Sequence, residues 1–143
     1  MKIVFLCVAN SARSQMAEGL ARSMALPSTQ VQSAGSSPSH VNPFAIQALS
    51  ELGIDISRHT SKNVLELNLS DAHFVITLCA DEVCPLFVGG AQKLHWPFRD
   101  PAGIGVSDEE KLAAFREVRE QIRTKLMAWF AEQGLLRPDF QQA

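Results

Sequence analysis

An apolar run, Ile3-Val4-Phe5-Leu6, passes directly into Cys7-Val8-Ala9-Asn10-Ser11-Ala12-Arg13-Ser14, and a helical pattern begins near Ser14. A strand, a loop and a helix in direct succession constrain the fold more than any other feature, because they point the loop's N–H groups and the helix N-terminus at one place. The result is a cradle for an anion. Cys7 closes the strand inside this field, where the helix dipole, the loop amides and Arg13 each favour thiolate over thiol. Arg13 offers a planar fork that matches two oxygens of a tetrahedral anion. Ser14 can donate its hydroxyl to the sulfur, and Asn10 tolerates left-handed backbone and can tie the loop to its neighbours. The expected oxyanion-binding set is Val8, Ala9, Asn10, Ser11, Ala12, Arg13 and Ser14, with Cys7 as nucleophile. A cysteine ending a strand can equally be a small buried hydrophobe; the strand before, the helix after and the Ser beside the Arg favour the chemical reading.

The rest of the chain alternates helices with strands. Met16, Ala17, Leu20, Ala21 and Met24 form one stripe of a helix from about Ser14 to Ala25, and Thr29–Ala34 alternates like an edge strand. Asn42-Pro43 reads as an N-cap with Pro at the first helical position, opening a helix that buries Ile46, Leu49 and Leu52 and stops at Gly53. A short helix is possible through Val64, Leu65 and Leu67. His59, without a second metal-ligand type at a usable spacing, reads as structural. His73–Leu78 is a buried strand ending at Cys79, and Gln92–Trp96 is a shorter one. Ser107 and Glu110 make a capping box for a last helix whose stripe of Leu112, Phe115, Val118, Ile122, Leu126, Trp129 and Phe130 reaches Gly134. Glu117, Arg119, Glu120, Arg123 and Lys125 are expected on its solvated face. Residues 1–134 read as a single catalytic domain and 135–143 as an unstructured tail.

Strands alternating with helices across short connections imply an α/β fold, one doubly wound four-stranded parallel sheet in the order 2-1-3-4 with helices on both faces. Ligands in such a sheet sit beyond the carboxyl ends of the strands, at the switch point between the first and third. The loops there carry Cys7, Cys79 and Asp100. Asp100, stiffened by Pro97 and Pro101, is the candidate general acid: expelling an oxygen from the anion is easier if that oxygen is protonated as it leaves. Asp-Pro also initiates turns well, so a purely structural Asp100 is the plainer alternative.

The stretch from Cys7 to Ser14 resembles the signature loop of low-molecular-weight protein tyrosine phosphatases and of the arsenate reductases that share their fold. Phosphatases of this type place tyrosines after the Asp-Pro pair to hold an aryl phosphate; this chain has Ala102-Gly103 there and no tyrosine. Cys79-Ala80-Asp81-Glu82-Val83-Cys84-Pro85 and His95–Ala102 resemble instead the paired redox cysteines and the acid loop of the reductases. The resemblance implies reduction of arsenate to arsenite by a relay from Cys7 through Cys79 to Cys84, with a thiol reductant, thioredoxin or another, as partner. Residues 79–84 would rearrange as that relay turns over, with Gly89-Gly90 absorbing the movement. Some relatives also hold a potassium ion near the loop; Asn10, Glu18 and Ser33 match that set, but Lys62 stands where an Asp would be. Two other readings stay open, a phosphotyrosine phosphatase working through a phosphocysteine and a non-catalytic phosphate-binding module.

Composition excludes several classes. A net charge of −2 and a pI near 6.1 leave no electrostatic footprint for nucleic acid. No apolar run approaches the length of a membrane helix. Three cysteines suit free thiols in a reducing cytoplasm better than a secreted disulfide framework. No metal or organic cofactor is expected, because one dithiol supplies the two electrons that arsenate reduction needs.

Overall fold

Lys2–Cys7 forms β1, buried at every position and therefore the centre of whatever is built around it. A computed structural model describes residues 1–79 and 90–140. In chain order β1 is followed by α1 (Arg13–Met24), β2 (Gln30–Gly35), α2 (Pro43–Ser50), a 3-10 turn (Val64–Glu66), β3 (Phe74–Thr77), β4 (Gln92–His95), α3 (Asp108–Gln133) and a second 3-10 turn (Pro138–Phe140). The strands form one parallel sheet in the order β2-β1-β3-β4, as the alternation of elements predicts. The register sets Cys7 beside Gly35 and Leu6 beside Thr77. The carboxyl ends of β1, β2 and β3 are thus level, and the loops leaving them open into one crevice.

Alternating side chains divide the sheet between two clusters, as the period of a strand requires. Ile3, Phe5, Phe74 and Ile76 lie under α1, α2 and α3 in the larger one. Trp129 of α3 meets Phe74 and Trp96 edge-on, with ring centroids 4.8 and 5.5 Å away. Each such fully buried side chain is worth roughly 1.5–3 kcal/mol. On the opposite face Val4, Leu6 and Val75 are covered by Val64, Leu67, Leu69, Ala72 and Ala91. Among the described residues all three α-helices share one face, and the other is covered by a 3-10 turn and extended chain.

The helix ends follow local chemistry. Asn42 accepts from the Phe44 amide at 2.9 Å with Pro43 at the first position, Ser107 and Glu110 complete the capping box, and Gly134 closes α3 at φ 71°. α1 is different. Its N-cap is Ala12, which makes no side-chain cap, so the helix N-terminus is left to the crevice.

Three expectations are corrected. α2 ends at Ser50 and buries Ala45, Ala48 and Leu49, while Leu52 is 41% exposed beyond its end; the small alanines let α2 approach α1 and α3 closely. The charges of α3 are not all solvated. Arg119 donates to the Ala48 carbonyl at 2.8 Å and to Glu51 Oε1 at 2.7 Å, and Arg116 pairs with the same carboxylate. These two guanidiniums hold Glu51 down at about 2. Nor is the chain from Leu135 unstructured. Gly134 turns it back over α1, where Leu136 bridges to Ala25, the Leu26 amide donates to the Leu135 carbonyl at 2.8 Å and Leu136 is buried. Leu135, Leu136 and Phe140 are apolar and cover the end of the core, so residues through Phe140 belong to the body of the domain.

Candidate active site

The loop after β1 is bent by Asn10, the non-glycine residue at positive φ (48°) among the described residues, as its residue type anticipates. The bend brings the loop against β2, where only a glycine fits: a Cβ on Gly35 would lie 2.3 Å from the Val8 carbonyl oxygen and 2.9 Å from the Asn10 nitrogen. Neighbouring segments then take the loop carbonyls. Val8 O accepts from the Ser37 amide at 2.9 Å, Ala9 O from Ser39 N at 3.2 Å and Ser61 Oγ at 2.9 Å, and Ser11 O from Asn42 N at 3.0 Å. Carbonyls held outward do not face an anion inside.

Inside is a cavity of about 110 Å³ lined by Cys7, Ala9, Ser11, Ala12, Arg13, Ser39, Asp100 and Ala102. Cys7 is a free, buried thiol whose Sγ lies 2.8 Å from Ser14 Oγ. The Arg13 side chain is 5% exposed. Its Nη1 donates to the Phe98 carbonyl at 3.0 Å and the Leu78 carbonyl at 3.5 Å, so the loops after β3 and β4 both fix the guanidinium. Its Nη2 lies 3.7 Å from Asp100 Oδ2. Asp100 Oδ1 accepts from the Ala102 amide at 3.0 Å, the turn contact that Asp-Pro anticipates, while Oδ2 faces Arg13 across the cavity. The Asp100 side chain is 45% exposed.

Cys79 follows β3 by two residues and is buried. It is disulfide-bonded, whereas Cys7 is not. Cys84 and Gly89 lie outside the described residues.

Behind the cradle a buried polar layer joins the loop to α1 and β2. Asn10 Nδ2 donates to Ser14 Oγ at 2.8 Å and Ser33 Oγ at 3.0 Å, and Ser33 Oγ donates to Glu18 Oε1 at 2.9 Å. Glu18 also faces His59 at 3.1 Å, Arg22 at 3.5 Å and Lys62 at 3.9 Å. Burial pushes His59 below its usual value; the Glu18 carboxylate opposes this, and the Arg22 and Lys62 charges reinforce it. His59 is bonded to Glu18 and Gln15. The layer does not fit a potassium ion. Asn10 Oδ1 is already taken by Gln15 Nε2 and the Lys62 amide, and two cationic side chains, Arg22 and Lys62, together with His59 surround the one carboxylate.

Cys7, Arg13 and Asp100 therefore line one cavity, Ser14 backs the Cys7 sulfur, and Cys79 directly follows Leu78, whose carbonyl accepts from Arg13. Gln15, Gly35, Ser39 and Ala102 also shape it and were not singled out as site residues from the sequence. Gly35 alone left a signal there, a glycine at the end of a strand, which marks a close backbone approach.

The comparisons agree with this geometry. The chain is 45% identical over 134 residues to an arsenate reductase of Halalkalibacterium halodurans, covering 92% of this chain and 96% of that protein. It is 43% identical, with the same coverage, to an arsenate reductase of Bacillus subtilis. Among solved structures, an arsenate reductase in the phosphate binding state superposes with a TM-score of 0.74 at 35% identity, over 92% of this chain and 97% of that one. A family model matches residues 2–137, nearly the whole described chain, and by that match the chain belongs to the low molecular weight phosphotyrosine protein phosphatase family.

Proposed function

We propose that this chain is an arsenate reductase in which Cys7 is the nucleophile, Arg13 and the amides of residues 8–14 bind the oxyanion, and Asp100 is the general acid. The observation that carries the reading is a free Cys7 at the end of β1 together with a second, disulfide-bonded cysteine two residues past the neighbouring strand. A hydrolase has no use for that second sulfur. The relatives named arsenate reductase support the same reading.

The Cys7 thiolate attacks arsenic, an S–As bond forms, and one As–O bond breaks with the oxygen leaving as water after Asp100 supplies a proton. The Cys79 thiolate then attacks Cys7 Sγ. The S–S bond forms, the S–As bond breaks, and its electron pair stays on arsenic, which departs as arsenite. Cys84 attacks Cys79, returning Cys7 to the thiolate and moving the disulfide to Cys79–Cys84. An external dithiol, thioredoxin or a small thiol, supplies two electrons to close the cycle. Such thiol exchange belongs in a reducing cytoplasm, and no described helix is long and apolar enough to cross a membrane.

Besides Cys7, Arg13 and Asp100 the cavity is lined by Ala9, Ser11, Ala12, Ser39 and Ala102, small groups that offer an aryl ring no wall. Incubating reduced protein with arsenate and, separately, with an aryl phosphate, then counting thiols, tests the reading. Thiol loss with arsenate alone is expected. Aryl phosphate hydrolysis without arsenate-dependent thiol loss would make the chain a phosphatase acting through a phosphocysteine, and neither reaction would make it a phosphate-binding module.

A further inference from the structure

The N-terminus of α1 serves the crevice, and its other end borders a second cavity of about 190 Å³. Leu20, Ser23 and Met24 of α1, Leu52 beyond α2, Arg123 of α3 and Phe140 of the second 3-10 turn line it. Arg137 holds that turn against α1, its Nε donating to the Ala25 carbonyl at 2.7 Å and its amide to the Met24 carbonyl at 2.8 Å. The Phe140 wall is therefore tied down. Leu20 and Met24 belong to the core and Phe140 packs against it, so the body of the cavity is apolar. Leu52, whose spacing predicts burial, lines the same space while exposed to water. Two polar side chains complete the lining. Ser23 Oγ donates to the Leu20 carbonyl at 2.6 Å, within its own helix. Arg123 is paired among the described residues with Glu120 Oε1, at 3.9 Å and with 39% of its own side chain exposed, while Glu120 Oε2 accepts from Arg119 Nε at 2.9 Å. So long and exposed a pair is worth little and leaves the Arg123 donors to another acceptor.

We propose that this cavity binds a small amphipathic monocarboxylate, its hydrocarbon body among Leu20, Met24, Leu52 and Phe140 and its carboxylate on the Arg123 guanidinium. An apolar concavity with one or two polar groups at its edge is the usual form of a small-molecule site. Size limits the body. A dry cavity of about 150 Å³ accepts benzene, so this one admits a chain of roughly six to eight carbons. Charge selects the head. Ser23 keeps its hydrogen within the helix, which leaves the planar fork of Arg123 to recognise an anion in preference to an alcohol. Glu120 beside that fork disfavours a doubly charged head such as a phosphate monoester, because one guanidinium then faces three negative charges. The bound chain would also cover Leu52, whose exposure nothing in the fold requires. Neither Cys7 nor Arg13 takes part, so the site is independent of the reaction in the crevice.

The test titrates the full chain with hexanoate at fixed pH and ionic strength while amide and methyl NMR signals are followed. Saturable shifts centred on the residues that line the cavity are expected. Acetate, which lacks the body, and hexan-1-ol, which lacks the charge, should each bind at least about tenfold more weakly. Arg123→Gln should weaken hexanoate roughly tenfold, the worth of a hydrogen bond to a charged group, and leave hexan-1-ol unchanged. Leu52→Asp, at an exposed position that the fold tolerates, should weaken hexanoate through the loss of apolar cover and the added like charge. Shifts that grow linearly without saturating overturn the proposal, as does equal hexanoate binding by the parent and Arg123→Gln. Binding that begins only once residues 141–143 are removed overturns it too, since those residues would then be the occupant. Should Arg123→Gln fail to fold, the Leu52 variant and the comparison of hexanoate with acetate and hexan-1-ol carry the test.

Discussion

The two sides of the crevice are built differently. On the cradle side, Cys7, Asn10, Arg13 and Ser14 are all buried, and the loop's carbonyls are fixed by three separate segments of chain. On the rim side, Asp100 is half exposed and held by one turn contact and one long ion pair, while Cys79, as buried as Cys7, comes from the chain just past β3. The cradle must hold a shape that matches the oxyanion before it arrives, so its geometry is over-determined. On the proposed reading the rim supplies a proton and electrons, which need access to solvent and to another thiol. Substitutions on the two sides should therefore fail in different ways.

The largest failure is expected at the join. Cys7→Ser should leave the fold intact and abolish turnover, since a serine hydroxyl is not ionised by these surroundings; arsenate-dependent thiol oxidation near the parent rate would remove Cys7 from its role. Substitutions in the relay should separate the steps. Cys79→Ser is expected to release little arsenite, whereas Cys84→Ser completes one turnover and stops with Cys7 and Cys79 joined, as mass spectrometry of the trapped disulfide would show. Multiple turnovers by Cys84→Ser with thioredoxin as sole reductant would mean that an external thiol takes its place.

Asp100→Asn keeps an acceptor for the Ala102 amide but cannot protonate the leaving oxygen. A fall in kcat of roughly 10²–10⁴-fold is the usual worth of a positioned acid. An unchanged rate would leave Asp100 with its turn alone.

Gly35→Ala attacks the cradle without touching its chemistry. The backbone oxygen that the new methyl group would meet cannot swing aside as a flexible side chain could. Destabilisation of about 1–3 kcal/mol, as for overpacked cores, is expected in thermal unfolding, with a loss of oxyanion affinity from the displaced loop. A parent-like melting temperature and affinity would show that the loop is less constrained than its contacts imply.

How well each side could be read in the sequence follows from how it is made. The cradle is one contiguous stretch ending a strand and starting a helix, so Cys7, Asn10, Arg13 and Ser14 announce themselves by type and spacing. The sheet order follows from alternation of elements. What supports the cradle is distant in sequence and generic in type: Gln15 looks like any helix-surface residue, His59 sits in a polar connection, and the acceptors for Arg13 are backbone carbonyls of Leu78 and Phe98 that no side-chain pattern encodes. The errors have the same origin. Glycine at 134 reads as a helix stop, which it is, but its φ also aims the following leucines at the core, a tertiary consequence invisible to local patterning.

The smallest effect expected concerns Lys62 and tests whether the cradle's support is complete without an ion. Its ammonium lies 3.9 Å from Glu18 Oε1 and donates to the Thr60 carbonyl at 3.0 Å, while Ser33 occupies the same carboxylate oxygen at 2.9 Å. A potassium ion needs several free oxygens, and here the oxygens of Asn10, Ser33 and Glu18 already have hydrogen-bond or ion-pair partners. A tethered cation also makes a diffusible one redundant. Potassium should therefore alter neither melting temperature nor rate beyond what sodium does at equal ionic strength. Lys62→Asp removes the tethered charge and adds two oxygens, and in that variant a potassium-specific rise in melting temperature is expected. A potassium-specific stabilisation of the parent protein would show instead that the polar layer opens to admit an ion.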